Sequence, residues 1–220
     1  MYNRRPDVAA VNISVALIAS LRTAYGEETV TAEQIFDVML CLLSASSYTL
    51  RFAEDLEDVF PHVPFPAQYT IFRDATRLGQ EIRRLETFAR EPAAAHLRHD
   101  FVRVTTEPRG ALAHVEYEDG GIILCDNGSG RPQAVWEFSV SGYRLVPRWL
   151  EARVGLPADF GLVQELRDIC GRIAELIDLF AQADIVLENA LHETLTREAL
   201  GLGAAGQEAA TEQESNDGPE

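Results

Sequence analysis

The chain has 220 residues, is 46% apolar, and sets 19 basic against 35 acidic residues for a net charge of −16. That size and composition support a buried core and exclude gross disorder, and no apolar run reaches the roughly 18 residues of a membrane span. The charge excludes DNA binding driven by bulk electrostatic attraction alone, and the polar start of the chain, without an export signal, sets a cytoplasmic expectation.

In chain order, Asn12 or Ser14 caps a first helix whose apolar face uses Val15, Leu17, Ile18 and Leu21, and Gly26 ends it. Thr31 opens a second helix, and Gln34 three residues on completes a capping box. Ile35, Phe36, Met39, Leu42 and Leu43 recur at helical spacing behind it. Ser46 or Ser47 starts a third helix with Leu50, Phe52, Leu56 and Val59 as buried positions. Its acids Glu54, Asp55, Glu57 and Asp58 resemble a metal cluster, but they interleave with Leu56 and Val59 and read as a solvated face. Pro61, Pro64 and Pro66 impose an extended link. A fourth helix runs from about Ala67 to Arg90 on Ile71, Phe72, Ala75, Leu78, Ile82, Leu85 and Phe88.

The pattern then changes. Phe101 to Thr106, Ala111 to Glu118 and Gly121 to Cys125 read as strands, the last two joined at the hairpin signal Asp119-Gly120. Asp126 to Pro132 is a polar, glycine-rich turn. Val135 to Val140 alternates like a half-buried strand, Gly142 turns the chain, and Pro147 suits the first turn of a short helix with Trp149 and Leu150. From about Asp159, Leu162, Leu166, Ile169, Ile173, Leu176, Phe180, Ala183 and Leu187 form a heptad seam. Two readings of that seam stand: a long helix packed lengthwise on another helix, or one laid over its own core. Residues 203–220 form an acidic tail without a base, of the composition that stays disordered.

Catalytic signatures are missing. There is no GxxxxGK[ST] loop and no GxGxxG after a strand, and Gly128-Ser129-Gly130 is too short to cradle a phosphate. No Asn-Pro-Pro-aromatic or Asp-Pro-Pro-aromatic segment is present to hold a flipped base. His96 and His99 have helical spacing and could join Asp100 at a metal, but a solvated inter-domain segment explains them as well. Cys41, Cys125 and Cys170 are far apart in apolar surroundings, without a CxxC pair, and read as packing residues. The expectation is therefore no catalytic residue, no metal and no cofactor.

The charge is uneven, with its acidic excess concentrated beyond residue 155. All the basic residues are Arg, the side chain that pairs bidentately with phosphate and guanine. A GC-rich genome explains this usage equally well.

Several segments together carry a resemblance: AEQIFDVMLCLLSASSY, RFAEDLEDVFPHVPFP, FRDATRLGQEIRRLETF, and AVWEFSVSGYRLVPRWLEARVG before a long helix. Over roughly residues 10–185 the chain resembles the C-terminal specificity (target-recognition) region of Type ISP restriction–modification enzymes, in which one polypeptide carries translocase, methyltransferase and target-recognition parts. The matching elements include Trp136, Phe138, Gly142, Tyr143, Trp149, Leu150 and Arg153. They read as fold determinants, the two Trp filling a sheet–helix interface. Leu85-Glu86-Thr87-Phe88 and EARVGLPADF depart from the family pattern.

The resemblance implies an α+β fold: an N-terminal helical subdomain (1–95), a small, mostly antiparallel sheet in a target-recognition portion (96–155), a long C-terminal helix (156–202) and the tail. It implies recognition of double-stranded DNA; the translocase and methyltransferase parts are missing from this chain, so a separately encoded methyltransferase or translocase subunit is the expected partner, with no membrane role. The loop residues suited to base or phosphate contact are Arg103, Arg109, Asn127, Arg131, Gln133, Arg144 and Arg148, with Ser129 beside them; each reads equally as a solvated side chain. The competing expectation is an acidic protein-interaction module that regulates such an enzyme.

Overall fold

The computed structural model describes residues 12–58, 62–96, 102–104, 122–124, 131–140, 142–154 and 159–202. The fold is α+β: mostly helical, with short antiparallel strand pairs and a long C-terminal helix. It divides into two compact units, residues 1–81 with 181–220, and residues 82–180.

In the first unit, α1 (Val15–Tyr25) follows Ser14 and stops at Gly26, whose φ of 65° is the left-handed cap that glycine takes without strain. Leu21 faces the core, whereas Val15 is exposed, so the buried stripe is narrower than expected. Helix α2 (Ala32–Ser44) carries the expected capping box between Thr31 and Gln34. Its buried face is Ile35, Val38, Cys41 and Leu42, and Phe36 points outward.

The expected third helix is two, α3 (Ser46–Arg51) and α4 (Ala53–Asp58), broken at Phe52. Long-range anchors decide this. The Ser47 backbone N–H and hydroxyl both donate to Asp184 (2.8 and 2.7 Å), and the Tyr48 hydroxyl donates to the His62 carbonyl at 2.9 Å. Tyr48 therefore turns inward and Leu50 is left 81% exposed. Val59 and Pro61 lie outside the described residues.

The Pro64–Pro66 link runs extended and pairs with the chain beyond the last helix: Ala67 N–H donates to Glu193 O at 2.8 Å and Leu195 N–H to Phe65 O at 2.9 Å. Helix α5 (Tyr69–Glu86) begins in this unit. Gly79 lies against the Asp37 backbone of α2, where an added Cβ would overlap the carbonyl oxygen.

In the second unit, β1 (Val102–Val104) pairs antiparallel with β2 (Ile122–Leu124), Val102 opposite Leu124. The strand expected at 111–118, the Asp119-Gly120 hairpin, Cys125 and the turn at 126–130 lie outside the described residues, as do His99, Asp100 and the tail from 203. The expected strand from Val135 is instead helix α6 (Arg131–Glu137), and only Ser139–Val140 is extended, as β3. A six-residue alternation cannot separate the two periods. Pro132 in the first turn, where no N–H is needed, and the Gln133–Glu137 hydrogen bond one turn apart (3.0 Å) favour the helix.

Strand β3 pairs with β4 (Tyr143–Arg144) through Gly142, at φ 80°, and α7 (Leu145–Glu151) follows with Pro147 in its first turn. Helix α8 (Phe160–His192) is the expected long helix. Every residue from Cys170 to Leu176 is buried. A two-helix seam would leave one face wet, so this stretch of α8 is laid through its own core, whereas beyond it Ala181, Gln182, Ile185, Glu188 and Asn189 are exposed. Leu166, Cys170, Ile173 and Ala174 pack there with Val135, Val146 and Leu150. Trp136 and Trp149 lie against this core, where they join helices to one another and not a sheet to a helix.

Candidate nucleic-acid interface

Arg144 ends β4 as the residue before α7, and Arg148 lies one turn into that helix. Both are exposed. Ser139 pairs with Arg144 and Val140 with Tyr143, the Leu145 N–H donates to Phe138 O at 3.2 Å, and buried Val146 and Leu150 pin α7 to α8. The opposite side of α7 opens onto a cavity of about 520 Å³ lined by Gly142, Tyr143, Arg144, Pro147, Arg148 and Glu151.

The Arg148 guanidinium lies 4.6 Å from the centre of the Tyr143 ring. Such stacking uses the flat face of the guanidinium and leaves its N–H edge free to bind an anion. Among the described residues, no carboxylate pairs with Arg144 or Arg148. Arg153 is already engaged, stacked 3.8 Å over Trp149 and 3.7 Å from Glu165. Glu151 shares the rim of the cavity, so two guanidiniums there face one carboxylate.

The other expected contact residues lie on other elements or outside the described residues. Arg103 occupies the middle of β1 opposite Ile123, and Arg131 opens α6. Gln133 is exposed on α6 but its amide donates to Glu137. Arg109, Asn127 and Ser129 lie outside the described residues. Tyr143 was legible only as a fold determinant; an aromatic one residue before an exposed Arg is too common a pattern to mark a stacking partner.

Behind the interface lies a charged lock that the sequence did not announce. Arg172, 6% exposed, donates from Nη1 to the Leu85 and Arg90 carbonyls (3.1 and 2.7 Å), from Nε to Asp168 (2.8 Å) and from Nη2 to Glu91 (3.0 Å). Arg90 meets Glu175 at 2.8 Å, and the Ala93 N–H donates to the same carboxylate. Burial works against the charge on Glu175. The Arg90 and Ala93 hydrogen bonds, with the charges of Arg90 and His96, outweigh it and hold the carboxyl below its usual range. These contacts fasten the segment after α5 onto α8. No group of three metal-ligating side chains occurs among the described residues, and no described helix is long and apolar enough to cross a membrane.

A family model described as the Type ISP C-terminal specificity domain matches residues 2–179. No curated protein and no solved structure matches the chain.

Proposed function

Because the chain belongs to the family of Type ISP C-terminal specificity domains, we propose that it reads double-stranded DNA for a restriction–modification system. In this reading a separately encoded methyltransferase or translocase supplies the covalent chemistry. Arg144 and Arg148 hold the DNA, and Arg103, Arg109, Asn127, Arg131 and Gln133 read base edges. Arg suits the two acceptors of guanine, and Asn or Gln the donor–acceptor pair of adenine.

The observation that carries the proposal is the pair of guanidiniums on one open cavity with no carboxylate bound to either among the described residues. The phosphates of a DNA backbone fit two such groups, one to each guanidinium, and each phosphate so neutralised adds about 0.9 to the slope of log affinity against log salt.

The test is binding of the full chain to fluorescent duplexes, first selected from a randomised pool, across a salt series. Arg144→Ala and Arg148→Ala should each reduce the salt slope by about 0.9. A double variant with unchanged affinity and slope, or a wild-type chain that selects no duplex at low salt, would overturn the proposal.

A further inference from the structure

Phe88 is the one non-glycine residue in the left-handed region among those described, at φ 58°. It is also 65% exposed. It is nevertheless fixed: the Arg172 guanidinium lies 4.3 Å from the ring centre, and that guanidinium is held by the two carbonyls and two carboxylates described above. One face of the ring is thus covered by a planar cation, and the ring still presents most of its surface to solvent.

Beside it opens an apolar cavity of about 190 Å³, lined among others by Leu85, Phe138, Val140, Leu145, Ile169 and Ile173. Val140, half exposed, pairs across the hairpin with Tyr143, and Arg144 comes next in the chain. Phe88 therefore lines one cavity with Val140 of β3, and Tyr143 and Arg144 of the paired strand line the other with Arg148.

Hydrophobic burial alone does not explain this arrangement, because the ring lines an apolar cavity without filling it and stays 65% exposed. A backbone held in a sparsely populated conformation by its surroundings is a common mark of a contact surface. We propose that Phe88 is a stacking platform for a base of the DNA held by Arg144 and Arg148. The ring lies against a base that is wholly or partly unstacked from its neighbour, in the manner of apolar wedges that open a base step. Every base has a π-face, so the contact supplies affinity and distortion without reading sequence. The inference rests on the DNA-binding reading above. An apolar side chain of a protein partner would fit the ring and Val140 equally well; the neighbouring arginines, complementary to phosphate, favour nucleic acid.

The experiment uses the full chain and a duplex selected from the randomised pool, with 2-aminopurine placed at successive positions. Binding should raise the fluorescence several-fold at one position, where stacking is lost. Phe88→Gly relieves the backbone strain and removes the ring. It should abolish that rise and weaken binding about tenfold, while Phe88→Tyr keeps both. Tryptophan fluorescence confirms that the variants are folded. If Phe88→Gly binds with unchanged affinity and an unchanged 2-aminopurine signal while Arg144→Ala still weakens binding, the stacking proposal is overturned and the DNA-binding reading stands. A wild-type chain that selects no duplex overturns both.

Discussion

Arg172→Met tests the charged lock directly. Methionine keeps most of the aliphatic stem and removes the guanidinium, leaving the Leu85 and Arg90 carbonyls without their donor. Removing one partner of a buried ion pair costs about 3–5 kcal/mol. That range does not apply in full here, because the Glu91 side chain is 77% exposed and Asp168 is partly so, and both rehydrate. What remains is the two carbonyls, at about 1–3 kcal/mol each if left unsatisfied, and about 1.5 kcal/mol for each gives about 3 kcal/mol. With a urea m-value of about 2 kcal/mol/M, the midpoint should fall by about 1.5 M.

The chain has 2 tryptophans, Trp136 and Trp149, both in the unit of residues 82–180. Intrinsic fluorescence therefore reports unfolding of that unit selectively. Arg172→Lys should recover less than half of the loss, since one ammonium cannot span two carbonyls and a carboxylate. Glu165→Gln, which breaks an exposed pair with Arg153, should shift the midpoint by less than about 0.3 M. An Arg172→Met midpoint within that same margin of wild type would refute the account of the lock.

Gly79→Ala should destabilise the chain by about 1–3 kcal/mol in thermal or urea unfolding followed by circular dichroism. Alanine gains about 1 kcal/mol of helix propensity, but its Cβ meets the rigid Asp37 backbone and forces overpacking; a variant as stable as wild type would show that α2 and α5 part easily. In a Cys125→Ser background no thiol should react with Ellman's reagent at pH 8 until denaturant is added, because burial pushes Cys41 up to about 12 and raises Cys170 as well. The Glu175 carboxyl is held below its ordinary value, so its contribution is complete above the unfolded-state pKa near 4.3 and is lost as pH falls through the lower folded value. Tryptophan-monitored stability should accordingly fall below about pH 4.5, and Glu175→Gln should flatten part of that fall.

The helices were legible where their signals are local. The Thr31–Gln34 capping box, the Gly26 stop, Pro147 in the first turn of α7 and the long apolar stripe of α8 each stand within a few residues of what they determine. The misread elements were decided from afar. Ser47 is fixed by Asp184, 137 positions further along the chain, and nothing near Phe52 announces the resulting break. The left-handed turn at Phe88 lies between Leu85 and Arg90, whose carbonyls both accept from Arg172, so the sequence shows a phenylalanine continuing an amphipathic stripe where the fold has ended the helix. Helix α6 is too short for its period to be measured against a strand. Arg144 and Arg148 were identifiable as arginines flanking a turn; that they share one cavity depends on the placement of the hairpin and α7.

That placement answers the objection raised by the net charge of −16. At physiological ionic strength a charge is screened within about 8 Å, so a bound phosphate responds to the groups beside it and not to the total. Between Glu137 and Glu151 the sequence holds no acid, and Arg144 and Arg148 fall in that interval. Of the flanking carboxylates, Glu137 accepts a hydrogen bond from Gln133 and Glu151 lies at the rim. The global excess acts over distance, slowing the approach of a polyanion, whereas the local pair acts after arrival, on the lifetime of the complex. An acidic chain can thus hold DNA at an arginine-lined edge, provided the acids concentrated beyond residue 155 do not crowd that edge. The open cavity of α7 is where the described residues meet that condition.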